Sequence, residues 1–451
     1  MTDHAQFIAR RPNRSFSRVS DSGRFLIHYD TNGSDAVSPA DTDGNGHPDY
    51  VDTTAETFDE VWAYEIDRLG YREPISDGDS VYDVYISDLS STGQYGVTYP
   101  ESFNTTTSTF IEIDNNFTDP VYVTPGTDGL RFTAAHEFFH AIQFAYYLSI
   151  DATWWYELTA TWIQDEVYTD VNDHYSLVNG YLEFPESALY EQPPITFRPY
   201  GAMIYGVYLS SVFGEDSIRG TFESLADRRP ASYTVNDTDL GLPGGFAETL
   251  PRFWIWKWFT GSQASVGRYL PEGDAYATVA FEEIKPIGSL TLAGGAQVQS
   301  LGATYVKVNT AGKSGGLQIT FDLPDGPTWN LDVLLIGEDG VQVLRPDGET
   351  VSIPTVGDYQ EVVFVASVLS LEGQVHTMSY TYRVSDSVSS WSDLVGDFDG
   401  SGTVGFEDFV LFSGSFGKPA GTHDERCDLD ADGRVGFDDF LVFVKQFGES
   451  R

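Results

Sequence analysis

Apolar residues recur at three- and four-residue spacing along residues 53–69 and 131–149, as with Ala55, Phe58, Trp62 and Leu69, which is the period of a helix with a buried face. Three short runs rich in β-branched and aromatic residues, RFLIHY (24–29), VYDVYIS (81–87) and TFIEID (109–114), predict strands. Further helices are expected around 155–168, 201–213 and 247–259, so residues 1–286 read as an α+β domain. From about Gly288 to Val384 the pattern changes to alternating runs, ATYVKVNT, GLQITFDL, LDVLLIG and EVVFVASV, separated by glycine and other turn residues. Short strands in that rhythm predict an all-β sandwich over residues 287–384. The serine-rich stretch SDSVSSWSD (385–393) reads as a linker. In residues 394–451 one unit occurs twice: DFDGSGTVGFEDFVLFSGSFG from Asp397 and DLDADGRVGFDDFLVFVKQFG from Asp428, at an offset of 31.

Length agrees with this division, since 451 residues exceed one ordinary core and predict a multidomain chain. Charge changes the picture more. The chain holds 68 acidic and 25 basic residues, a net charge of −43, and only six of the basic residues are lysine. Such a surface repels nucleic acid and anionic membranes. It suits a protein kept soluble at high salt, where self-repulsion is screened, and part of the excess is also accounted for by cation-binding loops. A single cysteine, Cys427, excludes an intrachain disulfide and any zinc site built from several cysteines. The sequence contains no run of 18 apolar residues, so no membrane-spanning helix is expected.

The chemistry concentrates in AAHEFFHAIQFAYY (134–147). His136 and His140, four apart, share a helix face and can reach one metal ion, and Glu137 beside them can take a proton from water. A third ligand is needed. The metalloproteases that supply a third histidine soon after do so past a glycine turn, but Gln143 and Tyr146 occupy those places here. WWYELTATWIQDEVY offers Glu157 instead, 17 residues after His140 at the start of a second helix; a helix hairpin would return it to the histidines. The plain structural alternative is a pair of core histidines satisfied by hydrogen bonds.

AAHEFFHAIQF, WWYELTATWIQDEVY, RPYGAMIYGVYL and the β-sandwich together resemble the MXAN_6640-type metalloprotease family, whose zinc motif is of the gluzincin kind; the likeness runs in order of parts over residues 20–384. The resemblance implies a zincin-like fold and a secreted zinc endopeptidase, with Zn2+ held by His136, His140 and Glu157 and Glu137 as general base. Its substrate would be a protein or peptide. Leu158 departs from the glycine expected after the third ligand. Tyr200 resembles the tyrosine that some gluzincins aim at the oxyanion; Tyr205 and His174 are rivals, and a tyrosine merely packed at a helix start fits equally. The strand TFIEID is expected to bind substrate backbone along its edge.

Three loops carry oxygen ligands at the spacing of a calcium loop. In DTDGNGHPDYVD these are Asp41, Asp43, Asn45, the carbonyl of His47, Asp49 and Asp52, with a proline at position 8 and aspartate in place of glutamate at position 12. In the C-terminal repeat the first set is Asp397, Asp399, Ser401, the carbonyl of Thr403 and Asp408; the second is Asp428, Asp430, Asp432, the carbonyl of Arg434 and Asp439. A duplicated loop and helix resembles a dockerin, which implies Ca2+ and a cohesin-bearing partner; Ser401 should weaken the first loop. Phe406 and Phe437 replace the small polar residues familiar at dockerin contact positions. The expectation is therefore an extracellular or cell-surface protein, although Arg10 and Arg11 are followed by a polar segment and no signal peptide is visible. The reading from another class is a catalytically silent, zincin-shaped scaffold that only docks; Glu137 separates the two, because a scaffold needs no base beside its ligands.

The charge yields a first prediction. If the acidic surface is a salt adaptation, the melting temperature rises markedly from low to molar monovalent salt with calcium held saturating. A flat response in the same calorimetric series would assign the acidity to the cation loops alone.

Overall fold

Phe25, Ile27 and Tyr29 are buried and Leu26 and His28 only half covered, so the period-two pattern read in RFLIHY does set one strand face on a core. The computed structural model describes residues 10–190, 197–284, 292–310, 315–338, 340–346, 348–369, 376–386, 394–418 and 421–450. The architecture is mixed α/β with several sheets. By contacts the chain divides into two compact units, one of Met1–Val178, Gln192–Gly206 and Glu215–Leu242, the other of Asn179–Glu191, Val207–Gly214 and Pro243–Arg451.

In the first unit β1 (Phe16–Val19), β2 (Phe25–Tyr29), β3 (Tyr82–Ser87), β4 (Gly96–Pro100) and β5 (Thr109–Asp114) form one sheet in the order β1-β2-β3-β5-β4. β2, β3 and β5 are parallel, and β1 and β4 close the two edges antiparallel. Every residue of β3 is buried, as an interior parallel strand requires. TFIEID is thus an interior strand with both sides paired, and the edge belongs to β4. That edge position was hidden by composition: GVTYP begins with glycine and ends with proline, residues that depress a strand reading but suit an edge.

Between β2 and β3 runs α1 (Asp49–Trp62), continued by a π-helical turn over Ala63–Arg68. After β5 come α2 (Gly126–Tyr146) and α3 (Thr153–Val167). α2 is covered on nearly every side: Phe138 meets Phe25 and Tyr82 edge-on at 5.3 and 5.7 Å, and Phe139 meets Phe222 at 6.0 Å. The remaining helices are α4 (Tyr175–Leu182), α5 (Arg198–Gly201), α6 (Met203–Phe213), α7 (Asp216–Arg228), α8 (Val235–Asp239) and α9 (Gly245–Trp258). A side chain on Gly206 would strike the Trp162 ring at 2.9 Å, so the glycine lets α6 lie against α3.

α9 falls in the second unit, where Trp258 stacks on Tyr305 at 5.9 Å and the Tyr305 hydroxyl donates to the Trp254 carbonyl at 2.8 Å. Its strands are β6 (Glu282–Ile284), β7 (Leu292–Gln299), β8 (Ala303–Asn309), β9 (Leu317–Asp322), β10 (Trp329–Gly337), β11 (Gly340–Leu344), β12 (Thr350–Ile353), β13 (Glu361–Val368) and β14 (Thr377–Asp386). They make two sheets, β11-β10-β13-β8-β6 and β12-β9-β14-β7, which bury a shared core that includes Val306, Leu335 and Phe364 from one and Phe321, Tyr380 and Tyr382 from the other. Gly294 in β7 lies under Tyr382, where a Cβ would come within 2.3 Å of the hydroxyl. Of the expected linker 385–393, Ser385 and Asp386 end β14 and residues 387–393 lie outside the described residues. The repeat follows with α10 (Phe406–Ser415) and α11 (Phe437–Gln446), whose own core includes Leu394, Phe398, Val404, Phe412 and Phe443. Among the described residues no helix is long and apolar enough to cross a membrane.

Candidate metal centre

α2 and α3 place three ligand atoms at one point. His136 Nε2 lies 3.1 Å from His140 Nε2 and 3.2 Å from Glu157 Oε2, and His140 Nε2 lies 3.5 Å from the same oxygen. A tetrahedral ion with bonds of about 2.0–2.1 Å holds its ligands about 3.3–3.4 Å apart, so this triangle has the size of three corners of such a shell. The helical register explains it: residues four apart on α2 stack one turn above the other, and α3 returns beside them.

The imidazoles are oriented by two glutamines that the sequence reading did not assign a role. His140 Nδ1 donates to Gln143 Oε1 at 2.8 Å. Gln143 Nε2 donates to the Tyr156 carbonyl at 3.0 Å and to Thr159 Oγ1 at 2.9 Å, so the amide cannot be reversed and the His140 Nε2 lone pair faces the triangle. His136 Nδ1 pairs with Gln164 Oε1 at 3.1 Å in the same sense. Spacing could have found both: Gln143 is one turn beyond His140, and Gln164 two turns beyond Glu157.

Burial alone would lower the His140 pKa, but the Glu157 carboxylate overrides it and raises it to about 9. Burial would raise Glu157, yet His140 and His136 hold it well below the ordinary carboxylate range. Thr98 of β4 donates to Glu137 Oε2 at 2.8 Å, and the Glu137 carbonyl lies 2.7 Å from the same hydroxyl; the Glu137 charge also helps to raise the pKa of His140 and of Tyr200. Gly96 permits this approach, since a Cβ there would meet Glu137 Cγ at 2.8 Å. Tyr200 in α5 stacks on His136 at 5.8 Å and 7°, and its hydroxyl bonds Glu157; burial, then Glu157, raises its pKa well above 10. His174 is fully buried 3.8 Å from Asp165, and burial lowers its pKa to about 4. Tyr205 is fully buried within α6, and Leu158 is fully buried within an unbroken α3.

The two C-terminal loops repeat one hydrogen-bond scheme. Asp397 and Asp428 accept from Gly402 and Gly433 at 2.8 and 3.1 Å; Asp399 and Asp430 accept from Ser401 and Asp432 at 2.8 and 3.1 Å. Asp408 and Asp439 accept from Gly405 and Gly436 at 2.8 and 2.6 Å. Gly402 and Gly433 take φ values of +83° and +89°, which glycine adopts without strain. Ligand oxygens of Asp397, Asp399 and Asp408 converge, as do those of Asp428, Asp430 and Asp439. In each set one buried oxygen, Asp397 Oδ1 or Asp428 Oδ1, has no hydrogen-bond partner. Burial first, then the neighbouring aspartates, pushes Asp430 up to about 9 and Asp439 to about 7. Ser401 Oγ turns to the Thr403 carbonyl at 3.1 Å, and Asp432 Oδ1 accepts from the Arg434 amide at 2.9 Å.

The 41–52 loop shares the first half of this scheme. Asp41 accepts from Gly46 at 3.1 Å, Asp43 from the Asn45 amide at 3.0 Å, and Asn45 Oδ1 from the His47 amide at 2.8 Å. The second half differs: Asp49 caps Thr42 at 2.8 Å, and Asp52 is held by Arg18 at 2.7 Å and by Asn45 Nδ2 at 3.0 Å. Its carboxylates are not among the convergent groups found in the described residues.

No family model matches the chain, and no curated protein matches it. Among solved structures, the Aeromonas hydrophila PliG, a periplasmic lysozyme inhibitor of g-type lysozyme, aligns over 24% of this chain and 97% of its own at 9% identity and a TM-score of 0.19. The Salmonella Typhimurium PliG aligns over 24% and 100% at 7% identity and 0.18, and RmlC from Streptococcus suis over 22% and 45% at 12% and 0.15. Likenesses this slight say nothing of this chain's fold or activity.

Two measurements test the centre. Gln143→Leu removes the group that orients His140 and should weaken binding of a divalent transition metal about 10–100-fold, read by competition with a chromophoric chelator. Unchanged affinity would mean that His140 is oriented by packing alone. In chelated protein the His140–Glu157 pair contributes stability through two shifts of opposite sign. The raised His140 contributes fully below 6.5 and its share is lost as pH rises through about 9; the depressed Glu157 contributes above 4.5 and is lost as pH falls below it. The melting temperature of wild type relative to Glu157→Gln should therefore peak between these limits and decline toward alkaline pH; a pH-independent difference would refute the pairing.

Proposed function

We propose that the chain is a secreted zinc-dependent endopeptidase of gluzincin type, with a zincin-like catalytic part, a β-sandwich and a dockerin. The observation that carries the reading is the triangle of His136 Nε2, His140 Nε2 and Glu157 Oε2 at 3.1–3.5 Å with Glu137 next to it in the chain. Its donor set of two imidazoles and one carboxylate suits Zn2+. Zinc bound there would supply Lewis acidity to the scissile carbonyl and to the attacking water.

The chain's own residues do the rest. Glu137, oriented by Thr98, accepts the proton of the attacking water and passes it to the leaving amine. Tyr200 donates its hydroxyl, its high pKa keeping the proton on it, to the oxyanion as the carbonyl becomes tetrahedral. The unpaired side of β4 is the place for an extended substrate, as an added strand beside the base. The aspartate loops of the repeat take Ca2+, and a cohesin-bearing protein is the partner of this module. Its helices leave Phe406 and Phe437 exposed at equivalent places, 66% and 64%, which gives such a partner apolar purchase.

Glu137→Ala should keep about one zinc per chain and lose hydrolysis of a peptide library by several orders of magnitude, because the base is removed and the Lewis acid kept. Wild-type hydrolysis in that variant, or after zinc chelation, would sink the peptidase mechanism and favour a silent docking protein.

A further inference from the structure

The two repeat loops match in sequence but not in setting. The first is open, with Asp399, Gly400 and Ser401 exposed. The second is enclosed within the second unit: Asp428 and Asp430 are fully buried where their counterparts Asp397 and Asp399 are half-buried and exposed, while Asp408 and Asp439 are equally covered. Its backbone is held at three successive carbonyls. The Val343 amide donates to Leu429 at 3.0 Å, the Tyr269 hydroxyl to Asp430 at 3.1 Å and Trp256 Nε1 to Ala431 at 3.0 Å. Aspartates in that enclosure need positive charge, and arginines outside the repeat supply it: Arg345 acts on Asp428 from farther off, and two others pair directly. Arg252, on α9, reaches Glu425 at 2.5 Å and Asp428 Oδ2 at 3.1 Å. Arg268 pairs with Asp430 Oδ2 and lies 3.9 Å from Asp432 Oδ2 and 3.2 Å from Asp438. Asp428 Oδ1 is buried without a hydrogen-bond partner among the described residues, and Asp428 is one of the three aspartates whose carboxylate oxygens converge, so the arginines do not satisfy the loop completely.

We propose that the second loop is a calcium-released latch: Arg252 and Arg268 hold its carboxylates against the body of the second unit, and a divalent cation entering the loop competes with them and loosens that hold. This rests on reading residues 428–439 as a cation loop. The competition has a fixed sign. A guanidinium and a divalent cation repel each other, and Arg268 pairs with Asp430 Oδ2 and stands near Asp432 Oδ2, which lie on the side away from the backbone amides bound by each Oδ1. Reciprocity then requires that whatever the arginines take from calcium affinity, calcium takes from the strength of the seat.

The test uses the full chain with calcium as the probe. Calorimetric titration resolves the second loop as the binding event lost in Asp428→Asn. Arg252→Met with Arg268→Met should tighten that event about tenfold, a coupling of ordinary allosteric size, while Arg268→Lys, which keeps the charge, should stay near wild type. In the wild-type chain, saturating calcium should speed hydrogen exchange at the Val343 amide by a comparable factor. Unchanged or weaker affinity in the double variant, or slower exchange at Val343 with calcium, overturns the latch while leaving the cation loop standing. Absence of any calcium event that Asp428→Asn removes, in every variant, overturns both.

Discussion

One amide holds the candidate centre together. Gln143 receives the His140 Nδ1 proton on its oxygen and spends both hydrogens on α3, at the Tyr156 carbonyl and Thr159. It is fully buried, so each of these bonds is made where water cannot replace it. The same side chain therefore does two things: it chooses the imidazole tautomer, and it fixes the start of α3 against α2. Glu157 lies between Tyr156 and Thr159 in sequence, so its carboxylate reaches the histidines only in the register this amide imposes.

That register sets three electron pairs against one another in a place with little water. Two imidazole nitrogens and a carboxylate oxygen within 3.5 Å repel unless something positive sits among them. A proton shared between His140 and Glu157 serves in part, which is why their pKa values move apart. Tyr200, stacked on His136, and Phe144, stacked on His140, flank the pair with aromatic surface that cannot relieve the repulsion as water would. Burial of ligands thus raises the need for a cation as well as the selectivity for one.

Much of this was legible in the sequence, and what was not has physical causes. Strands at 24–29, 81–87 and 109–114 and the helices bearing the histidines and Glu157 were read within a few residues, because their apolar periods are long and uninterrupted. β4 and β7 were not, since Gly96, Pro100, Gly294 and Gly295 speak against strands locally. Their reasons lie in partners distant in sequence: Glu137 needs Gly96 to be small, and Tyr382 needs Gly294 to be small. Thr98 and Gln164 escaped notice for a like reason, because a polar residue's role depends on what the fold sets opposite it. That α9 falls in the same compact unit as the strands after it was equally invisible, as it carries the same helical period as its predecessors and its packing, on Tyr305 among others, assigns it.

The acidic loops show how one local motif is given different properties by its surroundings. All three begin with an aspartate accepting from the glycine five residues on, a bond that local sequence suffices to make. They part at the remaining carboxylates. In the 41–52 loop Arg18 takes Asp52, and Asp49 becomes a cap; in the first repeat loop Asp399 and Ser401 are open to water; in the second, arginines from α9 and the segment after it stand against the carboxylates. A carboxylate already paired with a guanidinium surrenders less free energy to an incoming ion than one that is solvated or orphaned. Ligand spacing therefore fixes which oxygens could meet, whereas the cations supplied from elsewhere in the fold rank the loops by how readily each would accept an ion.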